Sequence, residues 1–125
     1  MMTLIATSAD GRAMRLAVAG HLSHDDYRAM IPAMEAAIAR HGNISLLADM
    51  TALDSMSPRA VLDDLAFDLG HLRDFERLAV VGNREWQEWM TRLAAHMTSA
   101  EMRYFDAAEA EAAWVWAQDA PQETA

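Results

Sequence analysis

Two short segments of this chain are apolar at odd and even positions alike, and they constrain the fold more than any other feature. Residues 44–50 read ISLLADM and residues 77–83 read RLAVVGN. A strand with solvent on one side alternates apolar and polar residues, whereas a central strand of a parallel sheet is buried on both faces. We therefore interpret both segments as central strands of a parallel sheet, which needs helices as its connections.

The remaining elements follow from periodicity and turn residues. Asp10 and Gly11 are typical of a hairpin turn between the first two strands. Three further strands are predicted over 3–8, 13–20 and 102–105. Four helices are predicted: the first begins after Ser23, and the others cover 57–75, 84–97 and 106–118. This order predicts an α/β domain over 1–120, with a mostly parallel sheet of about five strands and four helices. Residues 121–125 are expected to form a polar, frayed tail.

The stretch GHLSHDDY, residues 20–27, combines two histidines with two aspartates and could indicate a metal site. A simpler interpretation is a helix start. Ser23 stands directly before the first periodic residue, and Asp26 is placed to reach back to its amide. A metal site needs three or four converging ligands, which His21 at a strand end and His24 on a helix do not guarantee. We therefore predict an N-cap and no metal. Asp106 and Glu109 predict a similar capping box at the last helix.

Composition excludes several function classes. The chain has 125 residues and a net charge of −9, and its ten arginines are scattered. Nucleic-acid binding is not expected because it requires a basic surface. No segment approaches the length of a membrane span. The chain has no cysteine, which excludes disulfides and fits a cytoplasmic location. No cofactor motif is present: the segment VVGNREW has one glycine and no lysine, unlike a phosphate-binding loop.

An ordered set of residues resembles the SpoIIAA-like family of small bacterial proteins, of the STAS/SEC14-like type. The set comprises Gly20, Leu22, Ser23, Asp26, Tyr27 and Pro32, then Asp49, Ala79 to Gly82 and Trp86, then Arg103 to Phe105 and Trp114. The resemblance implies a right-handed βα superhelix with a mixed sheet, in a group largely without assigned activity. Related anti-sigma-factor antagonists carry Asp-Ser-Ser-Gly before the second helix and are phosphorylated there. This chain has DMTALDSMSPRA instead, so Ser55 and Ser57 are the only counterparts.

The candidate ligand pocket combines residues from three parts of the chain. A residue at the carboxyl end of a strand is well placed to bind ligands in α/β proteins, which makes Asp49 a candidate. The simpler role for Asp49 is to cap its own loop through Thr51. Methionine and tryptophan can form an adaptable apolar pocket or plain core. The full candidate set is Asp49, Trp86, Trp89, Met90 and Tyr104.

We expect a non-enzymatic module that binds an apolar small molecule or a regulatory protein. The alternatives are a module phosphorylated at Ser55 or Ser57, or an enzyme that uses Asp49 with His71, or His21 with His24. A homodimer is also expected. Right-handed crossovers place the helices on one face of the sheet, and the other apolar face then needs a cover. The competing possibility is that one helix, such as the last, crosses to that face and completes a monomer.

Overall fold

The computed structural model describes residues 2–56, 75–83, 85, 88, 91–92 and 101–119. Within them the chain forms one five-stranded sheet in the order β1-β2-β3-β4-β5. The first strand is antiparallel to the second, and the other pairs are parallel. The elements are β1 (Met2–Thr7), β2 (Ala13–Leu22), α1 (His24–His41), β3 (Ile44–Met56), β4 (Phe75–Gly82), β5 (Glu101–Asp106), a 3-10 turn (Ala107–Glu109) and α2 (Ala110–Gln118). The predicted mixed, mostly parallel sheet of five strands is confirmed.

Two of the four predicted helices are complete within the described residues, namely α1 and α2. The helix predicted over 57–75 lies outside the described residues except at Phe75, which instead begins β4. Of the helix predicted over 84–97, Glu85, Glu88, Thr91 and Arg92 are described, and their backbone is helical. The predicted tail, residues 121–125, lies outside the described part of the chain.

Helix α1 begins with the predicted N-cap. The Asp26 amide donates to Ser23 Oγ at 3.2 Å, and the Ser23 amide donates to Asp26 Oδ2 at 3.1 Å. These two bonds form a capping box, and they satisfy amides that a helix start otherwise leaves unpaired. The helix ends at Gly42, whose φ of 81° is a conformation that favours glycine. Pro32 is accommodated inside the helix, as the family resemblance implies.

The sheet is covered on two opposite sides. One core cluster lies on the side that we call the α1 face, where Met34 of α1 packs with Met14, Leu16 and Ile44. A second cluster lies on the α2 face, where Ala113 and Ala117 of α2 pack on Leu47, Ala79, Val81 and Phe105. Successive strand residues point to opposite sides of a sheet. Because Leu46 belongs to the first cluster and Leu47 to the second, the two helices lie on opposite faces.

The last helix therefore crosses the sheet, which is the arrangement considered above as the alternative to a dimer. The expectation that all helices share one face is wrong. Because α2 covers the face over β3 to β5, a bare apolar face there no longer argues for a homodimer. On that face the buried residues of α2 are Ala113 and Ala117, whose small side chains allow close packing on the sheet.

Arginines on the α2 face hold that helix at both ends. Arg15 Nη1 lies 3.1 Å from Glu111 Oε1 near the start of α2. Arg77 Nη1 donates to the Trp116 carbonyl at 2.8 Å, and its guanidinium carbon lies 4.8 Å from the Trp116 ring centroid. The Trp116 ring also packs at 5.7 Å from the Phe105 ring.

The predicted capping box at Asp106 is wrong, because its side chain makes no cap hydrogen bond and a 3-10 turn precedes the helix.

Candidate functional site

A cleft of about 360 Å³ lies at the carboxyl ends of β4 and β5. It is lined by Gly82, Asn83, Glu85, Glu88, Tyr104, Asp106, Ala107 and Ala108. Three of these eight residues carry carboxylates, and none carries a positive charge. The carboxyl edge of parallel strands is where α/β proteins commonly bind ligands.

The strand register brings two distant segments together at this cleft. Val80 lies opposite Tyr104, and Gly82 lies opposite Asp106. Phe105 faces α2, so its neighbours Tyr104 and Asp106 point to the other side of β5. Glycine has no side chain, so the last residue of β4 leaves space beside Asp106. The helical residues Glu85 and Glu88 supply the other acidic side of the cleft.

A chain of hydrogen bonds connects this cleft to β3. Asn83 Nδ2 donates to the Thr51 carbonyl at 3.2 Å. Thr51 in turn donates to Asp49 Oδ1 twice, from its amide at 3.0 Å and from Oγ1 at 2.6 Å. The backbone of β3 thus fixes the Asn83 side chain at the mouth of the cleft. Asp49 acts indirectly, because its two hydrogen bonds hold Thr51 in place.

The same bonds explain why β3 is longer than predicted. Asp49 is not at the end of the strand, which continues to Met56. The Asp49 side chain satisfies the Thr51 amide, and the register between β2 and β3 shifts directly after Asp49. Such a bulge interrupts the ladder without ending the strand. Pairing of β3 with β4 stops at Asp49, whereas pairing with β2 continues to Met56.

One carboxylate of the cleft already binds a guanidinium group. Arg92 Nη2 donates to Glu88 Oε1 at 2.6 Å, one helical turn away. The Arg92 side chain is 75% exposed and the Glu88 side chain 39%. Exposed pairs of this kind contribute only about 0.3–0.5 kcal/mol. A second guanidinium group could therefore replace Arg92 at Glu88 with little loss of free energy.

Of the two predicted pocket residues whose side chains the structure describes, Asp49 and Tyr104, it is Tyr104 that lines the cleft. Asp49 does not line it, and its carboxylate is bonded to Thr51 in the simpler of the two predicted roles. The other predicted site residues lie outside the described residues, namely Ser57, His71, Trp86, Trp89 and Met90. The backbone of Ser55 pairs with His21 inside the β2–β3 ladder, and its side chain is not described.

The opening histidines are placed as the sequence indicated. His21 lies near the end of β2, and His24 is the first residue of α1. In the part of the chain that the structure describes, no group of three or more histidine or acidic side chains could hold a metal ion.

The sequence patterns did not indicate that four acidic or amide residues of the cleft form one site. Asn83 and Glu85 were considered only as part of a phosphate loop, and Asp106 only as a cap. Glu88 was seen only as part of a helix. The signal that could have found them is their position after two adjacent parallel strands.

The fold defines a small α/β domain with a cleft at one edge of its sheet, and comparison with known proteins gives its family. A SpoIIAA-like family model matches residues 13–118. The chain therefore belongs to the SpoIIAA-like family, as the sequence resemblance implied. It is also similar to the crystal structure of an uncharacterised protein of the DUF3478 family with a SpoIIAA-like fold, from Shewanella loihica PV-4. That similarity has 35% identity, 93% coverage of each chain and a TM-score of 0.79.

Among curated proteins, none matches this chain. Within the described residues, no helix has the length and apolar character needed to cross a membrane.

Proposed function

We propose that this chain is a non-catalytic binding module whose edge cleft takes a basic side chain from a protein partner. The observation that carries the proposal is the cleft itself, with carboxylates of Glu85, Glu88 and Asp106 around about 360 Å³. A cavity of this size accommodates one arginine or lysine side chain. Tyr104 and Asn83 add a hydroxyl and an amide that can orient a charged head group.

Electrostatics favour a cationic partner over the other ligand classes. The chain carries a net charge of −9, so a basic partner is attracted at long range. Arginine is suited to this cleft because its planar fork donates to carboxylates in pairs. The exposed Arg92 on Glu88 has the same chemistry and would be replaced.

This proposal refines the two ligand classes expected from the sequence. An apolar small molecule would cover the three carboxylates of the cleft without binding them, which is unfavourable. A regulatory protein with a basic segment fits the same lining. The cytoplasmic location expected from the absence of cysteine remains a prediction.

Binding is favoured over catalysis for a local reason. The strongest acid–base candidate, Asp49, has its carboxylate engaged by the Thr51 amide and hydroxyl. The three carboxylates around the cleft are suited to recognition of a positively charged group.

A cross-linking experiment tests the proposal because the chain has no lysine. A carbodiimide joins carboxylates to amines, so a tetralysine peptide used as the probe couples to this chain while self-coupling through lysine is impossible. We expect coupling at Glu85, Glu88 and Asp106 in preference to the rest of the 19 acidic residues. N-acetylated tetra-arginine amide, which occupies the cleft but has no amine to couple, should suppress that coupling.

Two matched double variants distinguish binding at the cleft from attraction by the net charge of the chain. Glu85→Gln combined with Asp106→Asn removes two negative charges from the cleft. Asp25→Asn combined with Asp119→Asn removes two from the first turn of α1 and the end of α2, where both residues are exposed. Tetralysine affinity should fall several-fold more in the first variant. Equal losses, or coupling spread evenly over all carboxylates, would show that only net charge acts.

A further inference from the structure

Glu88 belongs both to the edge cleft and to an ion pair on its own helical segment. Its carboxylate lines the cleft with those of Glu85 and Asp106. Its Oε1 atom also accepts a hydrogen bond of 2.6 Å from Arg92 Nη2, four residues further along the chain. Residues at this spacing are neighbours on the surface of a helix. In the free protein, one of the three carboxylates of the cleft therefore already has a guanidinium group on it.

The exposure of the two partners indicates which of them can leave. The Arg92 side chain is 75% exposed, whereas the Glu88 side chain is 39% exposed and lines the cleft. An exposed arginine is held weakly by such a pair, and it regains side-chain freedom and hydration when it leaves. Arg92 can thus move into solvent while Glu88 stays at the cleft.

We propose that Arg92 is an internal competitor that lowers the affinity of the cleft for the basic side chain of a partner. This inference rests on the proposed function of the cleft and concerns its regulation. In the free protein Arg92 occupies Glu88, and in the complex the cationic group of the partner takes its place. The partner therefore gains one ion pair fewer than the three carboxylates of the cleft would otherwise provide.

Two limiting cases set the size of the effect. If Arg92 is displaced, giving up an exposed pair at this spacing lowers the affinity about twofold. If Arg92 instead stays beside Glu88, repulsion between two cations about 4 Å apart in water lowers the affinity about fivefold. Removal of Arg92 should therefore raise the affinity about two- to fivefold. It should also steepen the decrease of affinity with salt, because one more ion pair then forms on binding.

A matched control separates this effect from the change in net charge. Arg92→Gln and Arg40→Gln each remove one positive charge from an exposed arginine. Arg40 lies in the last turn of α1, just before the amino end of β3, whereas the cleft lies at the carboxyl ends of the parallel strands β4 and β5. The two charges are thus removed at opposite ends of the sheet.

The experiment titrates wild type, Arg92→Gln and Arg40→Gln with N-acetylated tetra-arginine amide, at two salt concentrations, and follows the backbone amides of Gly82 and Asp106 by NMR. We expect Arg92→Gln to bind about two- to fivefold more tightly than Arg40→Gln, with the steeper salt dependence. Equal affinities of the two variants, with shifts at the cleft in both, would overturn the competitor role and leave the proposed function standing. Weaker binding by Arg92→Gln would also overturn it, since Arg92 would then help to hold the ligand. If the cleft signals shift in none of the three proteins, the proposed function fails and the role of Arg92 with it.

The Arg92 side chain gives a direct readout of displacement in the wild-type protein. Its Nε–H signal can be assigned by its absence from the spectrum of Arg92→Gln. At saturation with the peptide, this signal should move towards the position of a fully solvated arginine. A signal that stays in place while the cleft amides saturate would contradict displacement of Arg92 by the ligand.

Discussion

Replacing Arg77 with alanine should detach the end of α2 from the sheet. The Arg77 side chain is only 17% exposed, and it donates to the Trp116 carbonyl at 2.8 Å. Its guanidinium carbon lies 4.8 Å from the Trp116 ring centroid. Arg77 Nε lies 3.3 Å from Glu101, which is an ion-pair distance without the alignment of a hydrogen bond.

These contacts set the expected size of the effect. A hydrogen bond from a charged donor contributes about 1.5–3 kcal/mol. The contact with a largely covered indole ring adds about 0.5–2 kcal/mol. The pair with Glu101, whose side chain is 64% exposed, adds little. Because these terms overlap on one guanidinium, we expect Arg77→Ala to lower the free energy of unfolding by about 2–4 kcal/mol.

Urea unfolding followed by far-ultraviolet circular dichroism measures this loss without depending on the tryptophan signal. Arg103→Ala is the matched control. Its guanidinium carbon lies 4.9 Å from the Phe105 ring centroid, but Arg103 is exposed, so the loss should stay at about 0.5–1 kcal/mol. If Arg77→Ala costs no more than Arg103→Ala, the arginine does not hold α2 and this reasoning is wrong.

Three further predictions concern the start of α1 and the first hairpin. Ser23→Ala removes the side-chain acceptor of the Asp26 amide and should cost about 1 kcal/mol in urea unfolding. The Ser23 amide, and then the Ser23 hydroxyl, hold the pKa of Asp26 below its ordinary 3.8, so the carboxylate stabilises the fold above that pH. The stability difference between wild type and Asp26→Asn should therefore shrink as the pH falls below about 4, and a difference that grows in acid would contradict this. Gly11→Ala should cost about 1–3 kcal/mol, because Gly11 has a φ of 78° and an added Cβ would lie 2.7 Å from His41 Nε2. Adding His41→Ala should recover only the part due to the clash.

The sheet could be predicted from the sequence because its central strands carry a strong signal. Leu46 and Leu47 are adjacent and belong to different core clusters, which is the burial on both faces that the pattern in residues 44–50 indicated. The helix start at Ser23 was equally readable, since capping is a local interaction.

Other features depend on contacts that periodicity does not record. The β3 strand continues past Asp49 because one side chain satisfies one backbone amide, and no apolar pattern reports such a bond. The path of α2 across the sheet depends on alanines, which have little periodic signal, and on arginines from β2 and β4.

The candidate site was predicted only in part, through Tyr104. The cleft joins residues after β4 to residues at the end of β5, and only the strand register places Gly82 opposite Asp106. Neither segment alone carries a known ligand-binding motif. A cleft made of scattered carboxylates has no motif, and it becomes visible only when the two strand ends are considered together.

The most direct test of the edge cleft is a titration of the ¹⁵N-labelled protein with tetra-arginine, followed by NMR. We predict that the amide signals of Gly82, Asn83, Asp106, Ala107 and Ala108 shift first and saturate together, while those of α2 stay in place. A tetraglutamate peptide should produce no shift at the same concentration. Shifts distributed over the whole acidic surface, or absent from these five amides, would contradict the proposal that the cleft binds a basic partner.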